Sequence, residues 1–230
     1  ISDEQACRIR DFIGCGLLLI VGHNYLTFLL FHTNTTAMLG NDRAHIELAH
    51  SIVLTLPGTP VLRYGDEIGI GENLDLPERD AIRTPMQWAN AKNGGFSPAD
   101  PQRLVLPVIS GGDFGYQHVN VADQQRDPKS LVNWVERMTR LRLRAPEFGN
   151  GECEWLEASD PAVLAHCCRG EQSSVFAVHN LSRRDMEVEV KAGRKVAGLF
   201  DLLKNQEVPA GSDGTFKLRL PRYGYTWMRE

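Results

Sequence analysis

The chain has 230 residues, 42% hydrophobic and 23% charged, enough apolar material for one large domain or two small ones with a buried core. Its net charge of -4 recommends no nucleic-acid partner. Five cysteines, an odd number with no Cys-x-x-Cys pair, read as reduced thiols and so as a cytoplasmic protein.

The chain opens at Ile1 in mid-pattern, which reads as a fragment, and no cationic segment precedes an apolar run as in a signal peptide. The apolar stretch from Phe12 to Phe31 is about long enough to cross a bilayer. Gly14, Gly16, Gly22, His23 and Asn24 interrupt it, however, and place polar groups near its centre, where they are costly. A buried segment of a larger fold is the better reading, and no membrane partner is expected.

Asn41 to Leu56 reads as a helix capped by Asn41 or Asp42, with Ile46, Ala49, Ile52, Val53 and Leu56 at helical spacing and Pro57-Gly58 as its stop. Thr59 to Tyr64 then reads as a short buried strand, with Pro60 tolerable near its start. From Gly65 to about Lys129 the chain is dense in Gly, Pro, Asn and Asp, and irregular stretches of that length are usually functional.

Pro128-Lys129-Ser130 opens a second helix with Leu131, Trp134, Val135, Met138 and Leu141 on one face, ended by Pro146. Arg140, Arg142 and Arg144 at its end read as a solvated face and as partners of the C-terminal dipole. After Phe148 the period changes from 3.6 to 2. Seven short strands are expected: Cys153–Leu156, Val163–Cys168, Val175–Asn180, Met186–Val190, Val196–Asp201, Phe216–Leu220 and Tyr223–Met228. Turn residues separate them, as in an antiparallel sandwich, so a domain boundary is expected near residue 148. His166-Cys167-Cys168 is a buried strand end rather than a zinc site, which needs four ligands at tetrahedral reach.

Several segments in order carry a family resemblance: Leu56-Pro57-Gly58-Thr59-Pro60-Val61-Leu62-Arg63-Tyr64-Gly65-Asp66-Glu67-Ile68-Gly69, then Glu78-Arg79-Asp80-Ala81-Ile82-Arg83-Thr84-Pro85-Met86-Gln87-Trp88, then Gln124-Gln125-Arg126-Asp127-Pro128 and the terminal Leu220-Pro221-Arg222-Tyr223-Gly224-Tyr225-Thr226-Trp227. They resemble the end of the catalytic barrel and the following domain of the alpha-amylase superfamily of glycoside hydrolases, and within it the trehalose-synthase (maltose alpha-D-glucosyltransferase) branch. The match covers roughly residues 37 to 230 and fails between about Cys7 and Thr36.

The resemblance implies a fold: residues 1–148 as the C-terminal end of a TIM-type (β/α)8 barrel, α/β in class, and residues 149–230 as an all-β sandwich. It also implies an activity, the interconversion of maltose and trehalose through a covalent glucosyl intermediate. An alpha-glucosidase or oligo-1,6-glucosidase of the same superfamily, and a non-catalytic carbohydrate-binding fragment, are the alternatives.

Retaining glycosidases need two carboxyl groups about 5–5.5 Å apart. The resemblance puts these on the fourth and fifth barrel strands and a third carboxylate on the seventh, all upstream of Ile1, so no catalytic residue is expected here. His23-Asn24-Tyr25 is not the family's Asn-His-Asp, and Asp66 and Glu67, adjacent on an extended segment, point to opposite faces.

The expected residues are substrate-binding ones. The resemblance makes Arg83 the grip on a hydroxyl of the terminal glucose, a role that suits a rigid fork of donors. A salt bridge to Asp80 or Glu78 competes with that role. Asp80 and Arg79 are weaker candidates on the acceptor side, and Glu67 is a candidate for the pocket wall. Trp88 reads as a buried tryptophan behind a loop rather than a stacking surface, and Phe96 and Tyr116 carry the same reading. No cofactor is expected. Calcium would belong to the full-length enzyme, with ligands outside this chain.

Overall fold

The computed structural model describes the backbone of residues 17–21 and 27–31 and all of residues 35–230. Expectations for Ile1, Cys7, Cys15 and His23-Asn24 lie outside the described residues. Strands β1 (Leu17–Val21) and β2 (Thr27–Phe31) pair antiparallel with Leu19 opposite Leu29. Part of the apolar run is therefore a hairpin, and no helix among the described residues is long and apolar enough to cross a membrane.

Helix α1 (Thr35–Met38) leads into α2 (Arg43–Thr55). Asp42 caps α2, its carboxylate accepting from the amides of Ala44 and His45 at 3.0 and 3.4 Å. After Pro57-Gly58 the expected strand does not form. Residues 59–63 carry no regular secondary structure and Tyr64 already belongs to a turn, with Val61 and Tyr64 about half exposed. A parallel barrel strand exists through its ladder to neighbours on both sides, and none of the described residues supplies one.

Residues 65–120 run as 3-10 turns and loops up to α3 (Val121–Arg126), and α4 (Leu131–Leu143) follows with Ser130 as its cap. Leu131, Trp134, Val135 and Met138 are buried as the helical spacing requires. Arg142 is not on a solvated face. It lies on the buried side, one turn beyond Met138, and donates to the carbonyls of Leu54 at 2.8 Å and Gly58 at 2.7 Å. It thus serves the free carbonyls that end α2, and burial brings its guanidinium down to about 10.

Beyond α5 (Glu147–Asn150) come nine strands instead of seven: β3 (Glu152–Trp155), β4 (Glu157–Ala158), β5 (Val163–Arg169), β6 (Ser174–Asn180), β7 (Met186–Lys191), β8 (Leu199–Asp201), β9 (Gln206–Val208), β10 (Thr215–Leu220) and β11 (Tyr225–Arg229). The two unforeseen strands, β4 and β9, are too short to show a period. The last strand starts two residues late, because Tyr223 has a φ of 55° and turns with Gly224. The strands form a three-stranded sheet in the order β10-β7-β4 and a six-stranded sheet in the order β3-β5-β6-β11-β8-β9.

The centre of the six-stranded sheet, β5 and β6, is buried on both faces. Val163, Ala165, Cys167, Phe176 and Val178 face the small sheet and meet Val188, Val190, Phe216 and Leu220. The alternate residues Cys168, Val175, Ala177 and Trp227 face α2 and α4 and meet Ile46, Ala49, Trp134 and Met138. Helices α2 and α4 are therefore docked, helix against sheet, on an antiparallel sandwich. The cysteine reading is corrected as well. The register sets Cys153 opposite Cys168 with Cα atoms 4.0 Å apart, and the two are joined in a disulfide. Cys167 points to the other face and is a buried free thiol, so cysteine usage no longer argues for a reducing compartment.

Candidate substrate-binding site

Residues 59–63 lead into a tight turn at Tyr64-Gly65. Gly65 has a φ of 92°, and a Cβ there would stand 2.4 Å from Ile70 Cγ2, so only glycine fits. The 3-10 turn Asp66–Ile68 then sends its two carboxylates different ways. Asp66 is buried, and desolvation raises its pKa to about 6 against the pull of the Arg63 guanidinium. Glu67 is half-buried and closes its own turn by accepting from the Gly65 amide at 2.8 Å.

The neighbouring turn, Glu78–Ile82, carries the other candidates. Its ends are held by backbone bonds: the Asn73 amide donates to Ala81 O at 2.9 Å and the Arg83 amide to Asp80 O at 3.1 Å. Beyond it the Met86 amide donates to the hydroxyl of Tyr64 at 2.8 Å, tying this loop to the turn at Tyr64-Gly65. Thr84, Pro85, Met86 and Gln87 are buried while Arg83 stands exposed. Its guanidinium forms no ion pair with Asp80, Glu78 or any other described residue. Arg79 is exposed beside it and Asp80 is half-buried. Arg83 and Arg63 lie within electrostatic reach of each other, and the charge of Arg83 adds to the burial that depresses Arg63.

Side chains of the long loop fasten it to itself. The buried Gln87 amide donates to the carbonyls of Phe114 and Val119, and Asn93 donates to Ser97 O and Ala99 O, each at 2.9 Å. Gln124 links Ile68 O to the Val132 amide, at 2.6 and 3.1 Å. The backbone of Trp88 is held on both sides, by Gly94 O at 2.7 Å and the Ala122 amide at 2.9 Å. Its indole projects outward and is 47% exposed, as is Phe96, which corrects the expectation of a tryptophan hidden behind the loop. Tyr116 is half-buried.

The arrangement presents an unpaired guanidinium and half-exposed aromatic faces on a loop held by its own hydrogen bonds. Those groups suit sugar hydroxyls and ring faces. It presents no nucleophile paired with an acid/base, and no group of three or more His, Cys, Asp or Glu among the described residues is placed to hold a metal ion. Arg63 and Tyr64 were not singled out from sequence. The available signal was their position, the last two residues before the turn that opens at Gly65.

Residues 30–151 match the family model described as alpha amylase, catalytic domain, and residues 173–229 match the sucrose hydrolase-like C-terminal domain. The chain is 41% identical over 198 residues to a trehalose synthase of Pimelobacter sp. (strain R48), covering 84% of this chain and 34% of that protein. It is 39% identical to the trehalose synthase/amylase TreS of Mycobacterium tuberculosis, covering 84% of this chain and 33% of that one. The chain thus spans about a third of the length of these relatives. Among solved structures, the alpha-amylase from H. orenii superposes with a TM-score of 0.65 at 25% identity, covering 86% of this chain and 38% of that one. The trehalulose synthase MutB superposes at 0.66 and 20% identity, covering 86% and 41%, a likeness of fold. With a family model matching more than half of its residues, and with the same barrel end and sandwich as its structural neighbours, the chain belongs to the alpha-amylase catalytic-domain family of glycoside hydrolases.

Proposed function

We propose that this chain is the C-terminal portion of an intramolecular alpha-glucosyl transferase that interconverts maltose and trehalose. Residues 1–148 complete a catalytic barrel and residues 149–230 form the sandwich that buttresses it. The observation that carries the reading is Arg83: an exposed guanidinium with no acidic partner among the described residues, on a loop anchored through Tyr64, in a chain whose relatives at about 40% identity are trehalose synthases.

In this reading Arg83 grips a hydroxyl of the terminal glucose, Arg79 and Asp80 border the acceptor, and Glu67 holds the turn that forms the wall. The nucleophile and the acid/base of the double displacement lie upstream. The hydrogen-bonded loop keeps water from the glucosyl intermediate while the freed glucose turns and attacks.

The test joins residues 37–230 to the upstream barrel of the Pimelobacter relative and analyses the products from maltose. Trehalose is expected, and Arg83→Ala should lower kcat/KM by at least a hundredfold with the fold intact. Glucose as the sole product would identify an alpha-glucosidase instead. The chain by itself should leave maltose unchanged, and turnover above a buffer blank would refute the placement of the carboxylates upstream.

A further inference from the structure

A groove of about 780 Å³ runs along α4, and none of its lining residues belongs to the loops of residues 59–127. Its floor is apolar, made by Trp134, Met138, Leu141, Leu202, Leu203 and the ring of Tyr225. Its rim is basic. Five cations, Arg43, Lys129, Arg137, Arg140 and Arg144, face two carboxylates, Glu47 and Glu136, in a chain whose net charge is -4.

Both carboxylates are already engaged. Glu47 accepts from Arg43 at 2.7 Å and from the Tyr225 hydroxyl at 2.9 Å, and Glu136 pairs with Arg140 at 2.5 Å. Lys129, Arg137 and Arg144 are exposed and make no ion pair with any described residue. A solvated face normally intersperses both signs. Here three unpaired cations border an apolar floor instead.

Their spacing selects the occupant. Lys129 stands just before α4, and Arg137 and Arg144 follow seven residues apart within the helix and at its end, so the rim extends along the 13-residue helix, about 20 Å at the helical rise. That is too long for a compact small molecule. It matches a partner helix that presents a carboxylate every seventh residue beside an apolar stripe, as paired helices do. We propose that this groove docks an acidic amphipathic helix of a partner protein, with carboxylates on Lys129, Arg137 and Arg144 and apolar side chains on Leu141, Leu202 and Leu203.

The experiment uses the whole chain and a fluorescein-labelled 21-residue peptide of three Glu-Leu-Ala-Ala-Leu-Glu-Ala repeats, followed by anisotropy at low salt. Saturable binding is expected, weakened at least tenfold by Arg137→Glu/Arg144→Glu and at least threefold by Arg137→Gln/Arg144→Gln. It should weaken further as salt rises and be absent for the same peptide with lysine in place of glutamate. Unchanged circular dichroism confirms that these exposed substitutions leave the fold intact. No saturable binding, or binding indifferent to both double variants, would overturn the proposal. So would concentration-dependent dimerisation abolished by the charge reversal, which would give the groove to a second copy of the chain.

Discussion

Acid should loosen the seam between α2 and the six-stranded sheet well before it titrates the surface. Three imidazoles are wholly buried: His166 on β5 and His179 on β6 at that seam, and His50 on α2 beside Trp134. His166 and His179 stack with ring centres 6.1 Å apart. His166 Nε2 donates to Thr55 O at 2.9 Å, and Ser51 Oγ lies 3.1 Å from His179 Nε2 and accepts from the Trp227 indole at 2.9 Å. Since Thr55 O can only accept, His166 Nε2 carries the hydrogen of the neutral ring. A second proton would go to His166 Nδ1, which has no partner.

Burial therefore holds all three rings neutral. His50 and His166 fall from 6.5 to about 4, and His179 to about 3, its burial reinforced by the neighbouring His166. The unfolded chain takes up protons near its ordinary pKa while the folded chain does not. Stability is then intact above about pH 7 and lost as pH falls through 6.5 toward 4. At pH 5 each ring contributes a loss of about 2 kcal/mol, roughly 6 kcal/mol together.

Asp66 acts in the opposite direction. Its pKa is raised from 3.8 to about 6, so its carboxylate is strained above pH 6, and protonation returns about 1 kcal/mol by pH 5. The net loss is on the order of 5 kcal/mol, a large share of the usual 5–15 kcal/mol. Urea unfolding followed by tryptophan fluorescence at pH 8, 7, 6 and 5 reads it as a falling midpoint at constant slope. His179→Gln should remove about two-fifths of the pH dependence. An identical midpoint at pH 7 and pH 5 would refute the reasoning.

Two further outcomes follow from the same interface. Arg142→Ala should cost about 3 kcal/mol in urea unfolding, because the Leu54 and Gly58 carbonyls lose a buried donor, whereas exposed Arg140→Ala should stay within about 0.5 kcal/mol. Mass spectrometry after alkylation should find Cys153 and Cys168 unmodified until reductant is added, and Cys153→Ser/Cys168→Ser should lower stability by up to about 3 kcal/mol for a 15-residue separation. Full alkylation without reductant would show the pair to be open.

Local chemistry on single segments was legible in the amino-acid order. Asp42 and Ser130 announce helix starts because their side chains reach amides two or three residues on. Leu131, Trp134, Val135 and Met138 declare a buried face by spacing alone. Arg83 and its turn stood out by residue type and motif, and most strands were visible as short runs between turn residues.

What required the tertiary structure was every property that depends on a distant neighbour. Residues 59–64 have a strand's composition but no ladder among the described residues. Arg142 sits in a basic run, yet it is buried because the end of α2 arrives beside it. Cys153 and Cys168 pair because the β3–β5 register sets them opposite, and period two is hidden in β5 and β6 because both faces of their sheet are covered. Sequence spacing records what a residue can do within its own helix or strand. Which face is left open, and which charge is left unpaired, is decided by the elements that pack against it.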